Sequence, residues 1–451
     1  MGNTASASSK SSPVVPTLSV DLTPIYRACR DGDVDRVRTL LPNYSPADLN
    51  EPSSRHDGNT CLHIATAQGH DSIVRLLLEH GSYRSARLNG QCQSAYDIAA
   101  TAKESTRALF LRHAEEDPLT ASASRFFDQN AIECFDIVQV EENLKEDSSD
   151  NVDVKKSAVQ TYRSEEEKTH AINYSSSSKA MCQSRLARFF VNSFHSDEPL
   201  KEDTINTRLN YLMKQMERRP SSDYIKAEGL LHQYETSSRS IEQLLHLYTL
   251  ETEFYRLLRT DCLPLALPLF IHLPELKERY FQGRSYRGMK MTRDQLLIYD
   301  KASETPGTLL QTRSFSSTST DSLVAKEFAC GKESKADQSL SVLFTFEFPD
   351  RCDQAINLSR ISIDKPCLSE YQDEQEVLIL PWTLFEVTQV CKTLDDHQLY
   401  TVHLKNVNVP KKNLLSTFQW SWVEMKNQLR TDKKIKFDCA FQKYNTAHLK
   451  N

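Results

Sequence analysis

The stretch Ser369-Glu-Tyr-Gln-Asp-Glu-Gln-Glu-Val-Leu-Ile-Leu-Pro381 runs four acids, Glu370, Asp373, Glu374 and Glu376, directly into the apolar block Val377 to Leu380. The block has the length and branched content of a buried strand. Glu374 and Glu376 are two residues apart, so an extended backbone would send both carboxylates to one face. Acids paired at the mouth of a core strand are costly unless a cation meets them. Taken alone, the stretch also fits a solvated acidic loop that happens to precede a strand. The remainder of the chain has to choose between these readings.

Length and composition limit the choices. A chain of 451 residues accommodates two or three domains. A net charge of −6 gives no reason to expect nucleic-acid binding. No apolar run approaches the ~20 residues of a membrane span. Residues 1–20 lack the apolar centre of a secretory signal, so an intracellular, cytoplasmic and reducing location is expected. The 11 cysteines form no Cys-x-x-Cys pair and no cluster with histidine, so no metal is expected. Residues 1–21 read as a disordered, serine-rich tail. Within it, Gly2 and Ser6 stand where an N-myristoylating enzyme reads its substrate. One acyl chain with no polybasic partner would give only weak, reversible membrane attachment.

From 22 to 113 the chain repeats itself. Thr23-Pro-Ile-Tyr-Arg-Ala28, Asn59-Thr-Cys-Leu-His-Ile-Ala65 and Gln93-Ser-Ala-Tyr-Asp-Ile-Ala99 are three versions of one helix opening. Their alanines recur near the period of about 33 residues of ankyrin repeats, which this region resembles. About three repeats suffice to bury a continuous core. The resemblance implies an all-α solenoid that docks a protein partner through its turns and concave face. A spacer or an intramolecular cap is the plainer alternative. Residues 114–222 are acidic and polar, broken by apolar islands such as Ala187-Arg-Phe-Phe-Val191, and are expected to form a partly structured linker.

A helical region follows from 223. Ser240-Ile-Glu-Gln243 has the form of a capping box, and Leu244, Leu245, Tyr248, Tyr255 and Leu258 recur at near-helical spacing. Strand signals come next, at Tyr286-Arg287-Gly288 and at Phe315-Ser316-Ser317-Thr318-Ser319. Val342, Phe344, Phe346 and Phe348 then alternate with polar residues, and further strands fall at Val377 to Leu380, Phe385 to Val387 and Tyr400 to Leu404. Strands after a helical block argue for an α+β domain with an antiparallel or mixed sheet.

A Tyr-Arg-Gly strand, a Phe-x-Ser-Thr-Ser strand and a Glu-x-Glu-Val-Leu strand, in that order, resemble the three marks of the R-S-E class of mono-ADP-ribosyltransferases. These enzymes have the clostridial-toxin-like fold and modify arginine using NAD. The resemblance covers roughly 223–405, leaving 406–451 as an extension that matches nothing familiar. It implies roles for several residues. Glu376 would face the oxocarbenium-like charge that develops as the nicotinamide–ribose bond breaks. Arg287 would hold the pyrophosphate. Gly288 would leave room for the nicotinamide amide, and Ser317 would hold the site together through Glu376 and the ribose. Thr318 and Ser319 complete the strand motif, and Phe328 would pack on the nicotinamide ring. Glu374 would orient the acceptor arginine, with Tyr371 towards the target surface. Glu370 and Asp373 are given no role.

The sequence therefore predicts a multidomain chain, an ankyrin solenoid followed by an α+β ADP-ribosyltransferase domain. Its partners would be NAD, a protein presenting arginine and a protein bound by the repeats. An NAD glycohydrolase is one alternative, and a catalytically silent ankyrin scaffold is another. Intact Arg287, Ser317 and Glu376 argue against the scaffold, and Glu374 argues against the glycohydrolase.

Overall fold

A computed structural model describes residues 23–110, 161–194, 201–330, 340–412 and 416–417, apart from 53–56, 163, 217–221, 237–239, 251, 253, 306, 313, 363 and 393–398. The expectations for 1–21, including Gly2, and for most of 406–451 lie outside the described residues.

The N-terminal repeats are stacked helix pairs. Helices α1 (Thr23–Asp31) and α2 (Val34–Leu40) form the first, followed by the short α3 (Pro46–Leu49). Helices α4 (Cys61–Ala67) and α5 (Asp71–Glu79) form the second, and α6 (Ala95–Thr101) and α7 (Glu104–Ala108) the third. Four of them, α2, α3, α4 and α6, open at a residue whose side chain accepts from a free N–H group. Thr60 and Ser94 cap α4 and α6, with His63 and Asp97 reaching back to complete the boxes. His63 also reaches the Gln93 carbonyl at 3.1 Å, linking the second repeat to the third, and its burial lowers its pKa. Ala28, Ala65 and Ala99 are buried among Ile25, Leu62, Ile73 and Leu77, so the small residues sit where the helices come closest.

The stretch expected to be linker is largely helical where it is described. Strand β1 (Thr161–Tyr162) precedes α8 (Glu165–Gln183), α9 (Arg185–Phe194) and α10 (Glu202–Gln215). Helix α8 reads as polar because it buries serines: Ser175, Ser176 and Ser177 face inward with Ala171 and Cys182. Helices α11 (Ser222–Thr236), α12 (Ile241–Thr249), α13 (Phe254–Thr260) and α14 (Leu263–His272) continue the layer. The capping box expected at Ser240 is not formed among the described residues: there Ser240 is the N-cap of α12 without a side-chain cap bond, and the buried Gln243 Oε1 has no partner.

The sheet follows as β2 (Tyr280–Met291), then α15 (Arg293–Glu304), β3 (Leu309–Gln311), β4 (Ser316–Ser319) and α16 (Ser322–Cys330). It is completed by β5 (Leu340–Asn357), β6 (Glu376–Ile379), β7 (Leu384–Lys392) and β8 (Tyr400–Asn406). The strand order is β1-β3-β7-β8-β5-β2-β4-β6, antiparallel apart from the parallel pair β5–β8. The 18-residue β5 also pairs with β6 through Ala355, Ile356 and Asn357, so β2, β4 and β6 close back on it. The apolar run of β6 has two jobs. Val377 and Ile379 join the phenylalanine core of the sheet, while Leu378 and Leu380 join the helical layer. A strand covered on both faces has to be apolar throughout.

The fold is thus α-helical repeats followed by a mixed α+β unit, the class expected from the sequence.

Candidate active site

Arg287, Ser317 and Glu376 fall on three consecutive strands, β2, β4 and β6. Tyr286 pairs with Ser319, and Ser319 with Glu376. Tyr286–Ser319 is the pairing between β2 and β4, and the strands separate at the next residue, where Arg287 lies. Its Nη1 donates to the Ser317 carbonyl at 2.7 Å across that fork. Arg287 is 6% exposed, and its Nε has no partner among the described residues. Ser285, two residues earlier and on the same strand face, also has a buried Oγ without one.

The expectation for Ser317 needs correction, and Arg287 stands apart from the acids. Among the described residues no carboxylate forms an ion pair with Arg287, whose Nη1 is taken by the Ser317 carbonyl. Strand order explains this: β4 intervenes, and two strand spacings separate the backbones by about 10 Å. Nor does Ser317 brace Glu376. Its Oγ meets the Tyr248 hydroxyl at 3.1 Å, bringing α12 to the sheet, whereas Glu376 accepts from Ser369 Oγ at 2.9 Å. Ser369 was missed because its partner is recognisable only once the chain has folded back through Leu358 and Leu368.

Glu374 and Glu376 do not share an extended backbone. Gln372–Glu374 is a single 3₁₀ turn, Gln375 sits in the left-handed region at φ 44°, and the strand begins at Glu376. Same-face alternation therefore does not apply across the pair. Glu374 is 2% exposed and Glu376 is fully buried.

The other expected residues surround this centre. Thr318 Oγ1 donates to the Val377 carbonyl at 2.7 Å, locking β4 to β6. Ser319 Oγ accepts from the Asp321 N–H at 2.9 Å, and Asp321 accepts from Leu323 N–H to open α16. Phe328 is half-buried on α16. Gly288 is required by that helix: a Cβ there would lie 1.7 Å from the Ala325 carbonyl oxygen and 2.6 Å from the Ala329 nitrogen, so glycine is needed whether or not a nicotinamide approaches. Gly288→Ala should accordingly push α16 off β2, with a loss of about 1–3 kcal/mol in chaotrope unfolding.

Glu370, given no role from the sequence, lies at a fully buried charge centre. Its carboxylate accepts from Lys226 Nζ at 2.5 Å, Arg84 Nη1 at 2.8 Å and His246 Nε2 at 3.2 Å. Burial alone would raise its pKa, but Lys226, His246 and Arg84 hold it well below the usual carboxylate range. Its backbone N–H donates to Thr249 Oγ1 at 3.1 Å. One signal for this centre was present in the sequence. Asp223, Lys226, Ala227, Leu230, Leu231 and Tyr234 are buried at helical spacing on α11, so a lysine stands on an apolar stripe and requires an anion. Tyr371, expected to face a target, is 7% exposed with the Arg84 guanidinium 5.2 Å from its ring centre. A ring covered in this way by the repeats is not presented to an incoming protein.

Among the described residues no group of His, Cys, Asp and Glu could hold a metal ion, and no helix is long and apolar enough to cross a membrane.

A family model described as ankyrin repeats in three copies matches residues 6–110. The human tRNA endonuclease ANKZF1 is 38% identical over 100 residues, which cover 21% of this chain and 13% of that protein. The chain thus spans about an eighth of the curated relative it matches. Among solved structures it is similar to the Vis toxin, an ADP-ribosyltransferase from Vibrio splendidus, at 18% identity over 48% of this chain and 94% of that one, with a TM-score of 0.24. It is similar also to exoenzyme S from Pseudomonas aeruginosa, at 16% identity over 47% and 97%, with a TM-score of 0.27. The Clostridium limosum C3 exoenzyme is 12% identical over 41% and 93%, with a TM-score of 0.26.

Proposed function

We propose that the chain is an NAD-dependent mono-ADP-ribosyltransferase acting on arginine. The observation that carries this reading is Arg287: a buried guanidinium at a strand fork, with an unsatisfied Nε and no carboxylate partner among the described residues. A buried cation in that state requires an anion. With the orphaned Ser285 hydroxyl beside it, a pyrophosphate supplies the charge and acceptor oxygens those donors lack. Two strands away stands Glu376, the group suited to a developing ribosyl cation. NAD is long enough to engage both ends.

In this reaction the bond between nicotinamide nitrogen and ribose C1′ breaks, and its electron pair leaves with nicotinamide. A guanidine nitrogen of the acceptor then bonds to C1′ and gives up one proton. Glu376 stabilises the cationic transition state more than the ground state. Glu374 orients the guanidinium and helps remove its proton. Both carboxylates are shielded, which strengthens their field, and substrate entry requires part of their cover to shift.

Incubation with adenylate-labelled NAD and poly-arginine, following label transfer and nicotinamide release separately, tests the proposal. Transfer matched to release supports it; release alone indicates a glycohydrolase, and neither indicates a scaffold. Glu374→Gln should reduce transfer by at least about 10²-fold while leaving nicotinamide release measurable. Equal loss of both would defeat the division of labour between the two acids.

A further inference from the structure

The third ankyrin repeat and the loop that leads into it hold the N-terminal flank and the first residue of the turn that carries Glu374. Asp97 is the centre of this contact. Its Oδ2 caps α6 through Ser94 N–H and also accepts from Arg360 Nη1 at 3.0 Å, while its Oδ1 accepts from Gln372 Nε2 at 3.0 Å. Arg360 donates additionally to the Cys92 carbonyl. Arg84 reaches Glu370 and covers Tyr371. The 3₁₀ turn ending at Glu374 begins at Gln372, the residue whose side chain Asp97 holds. From there only the left-handed Gln375 separates Glu374 from Glu376.

We propose that the third repeat and the loop leading into it are part of the acceptor site, with Arg84 and Asp97 as positioning residues. By fixing the turn Gln372–Glu374 they set where Glu374 stands relative to Glu376. They thereby govern how much ADP-ribose passes to arginine instead of water. This rests on the transferase reading above and differs from a docking role, because it operates even when the acceptor is too small to touch the repeats.

A small guanidine separates the two roles. Transfer from NAD to agmatine and nicotinamide release are measured with the full chain and with Gln372→Ala, Asp97→Asn, Arg84→Gln and Arg84→Lys. Gln372→Ala cuts the contact from the loop side and leaves the α6 cap untouched, so it guards against misfolding. The expected result is a fall of about tenfold to a hundredfold in the ratio of transfer to release, with release itself nearly unchanged. Arg84→Lys, which keeps the charge, should retain more of the ratio than Arg84→Gln. An unchanged ratio in Gln372→Ala overturns the proposal, as does a rise in both rates, which would make the repeats an obstruction. A wild-type chain that releases no nicotinamide defeats the transferase reading instead. Hydrogen exchange of residues 370–376 then decides whether the repeat holds the turn: faster exchange in Gln372→Ala supports it, and unchanged exchange overturns it.

Discussion

Glu376→Gln should lower nicotinamide release and ADP-ribose transfer together, by at least about 10³-fold, with unfolding by chaotrope little altered. The substitution preserves the shape of the side chain and an oxygen able to accept from Ser369 Oγ, now at 2.9 Å. What it removes is negative charge in a fully buried position, where no solvent can replace it. An amide dipole stabilises a developing ribosyl cation far less than a carboxylate does. Because bond breaking precedes the choice between arginine and water, both products should fall in parallel. Release that survived at more than a tenth of the wild-type rate would remove Glu376 from the reaction. The contrast with Glu374→Gln makes the test specific, since that variant should separate the two products.

Glu370→Gln should be the most destabilising single substitution near the site, at about 3–5 kcal/mol by chaotrope unfolding. Lys226 is fully buried, and with Glu370 gone its remaining carboxylate is Asp223 at 3.7 Å. Arg84 loses its carboxylate as well. The penalty arises chiefly from cations left uncompensated, so it should be non-additive: Lys226→Met combined with Glu370→Gln should cost less than the sum of the two. Acid provides an independent check. The Glu370 pKa is depressed in the folded chain from an ordinary value of 4.5. Its contribution is therefore complete above that value and is lost as pH falls through the folded one. Wild type and Glu370→Gln should differ by a constant amount near neutrality and converge only in strong acid. Convergence at neutral pH would show that the carboxylate is not held ionised.

Several parts of this arrangement were legible in the sequence because they depend on local spacing. The repeats appear as recurring alanines, and the sheet appears as alternation in β5 and an apolar run in β6. The three strand motifs were recognisable because each is short and contiguous. Where the reading failed, the cause was physical. Helix α8 resembles a polar linker because three consecutive serines do the packing that alanines usually do. The pair Glu374 and Glu376 suggests a strand, yet Gln375 takes a left-handed conformation that side-chain chemistry alone does not announce. Glu370 looked like a surface acid because its partners lie far off in sequence, on the loop before α6, on α11 and on α12. Lys226 was the available clue, a charged residue at a position where helical period demands an apolar one.

The contact between Arg84 and Glu370 joins residues 286 positions apart, and this separation governs the order of assembly. At a synthesis rate of about 5–20 residues per second, Arg84 waits roughly 15–60 s for its carboxylate. During that interval the repeats and helices α11 and α12 can fold, but Arg84 lacks its carboxylate and Lys226 has only Asp223, at 3.7 Å. The turn bearing Glu374 arrives after the repeats and the helical layer, with β6, β7 and β8 still to follow it. The buried charge centre at Glu370, and the turn that follows it, are therefore completed only once residues 286 positions apart have met.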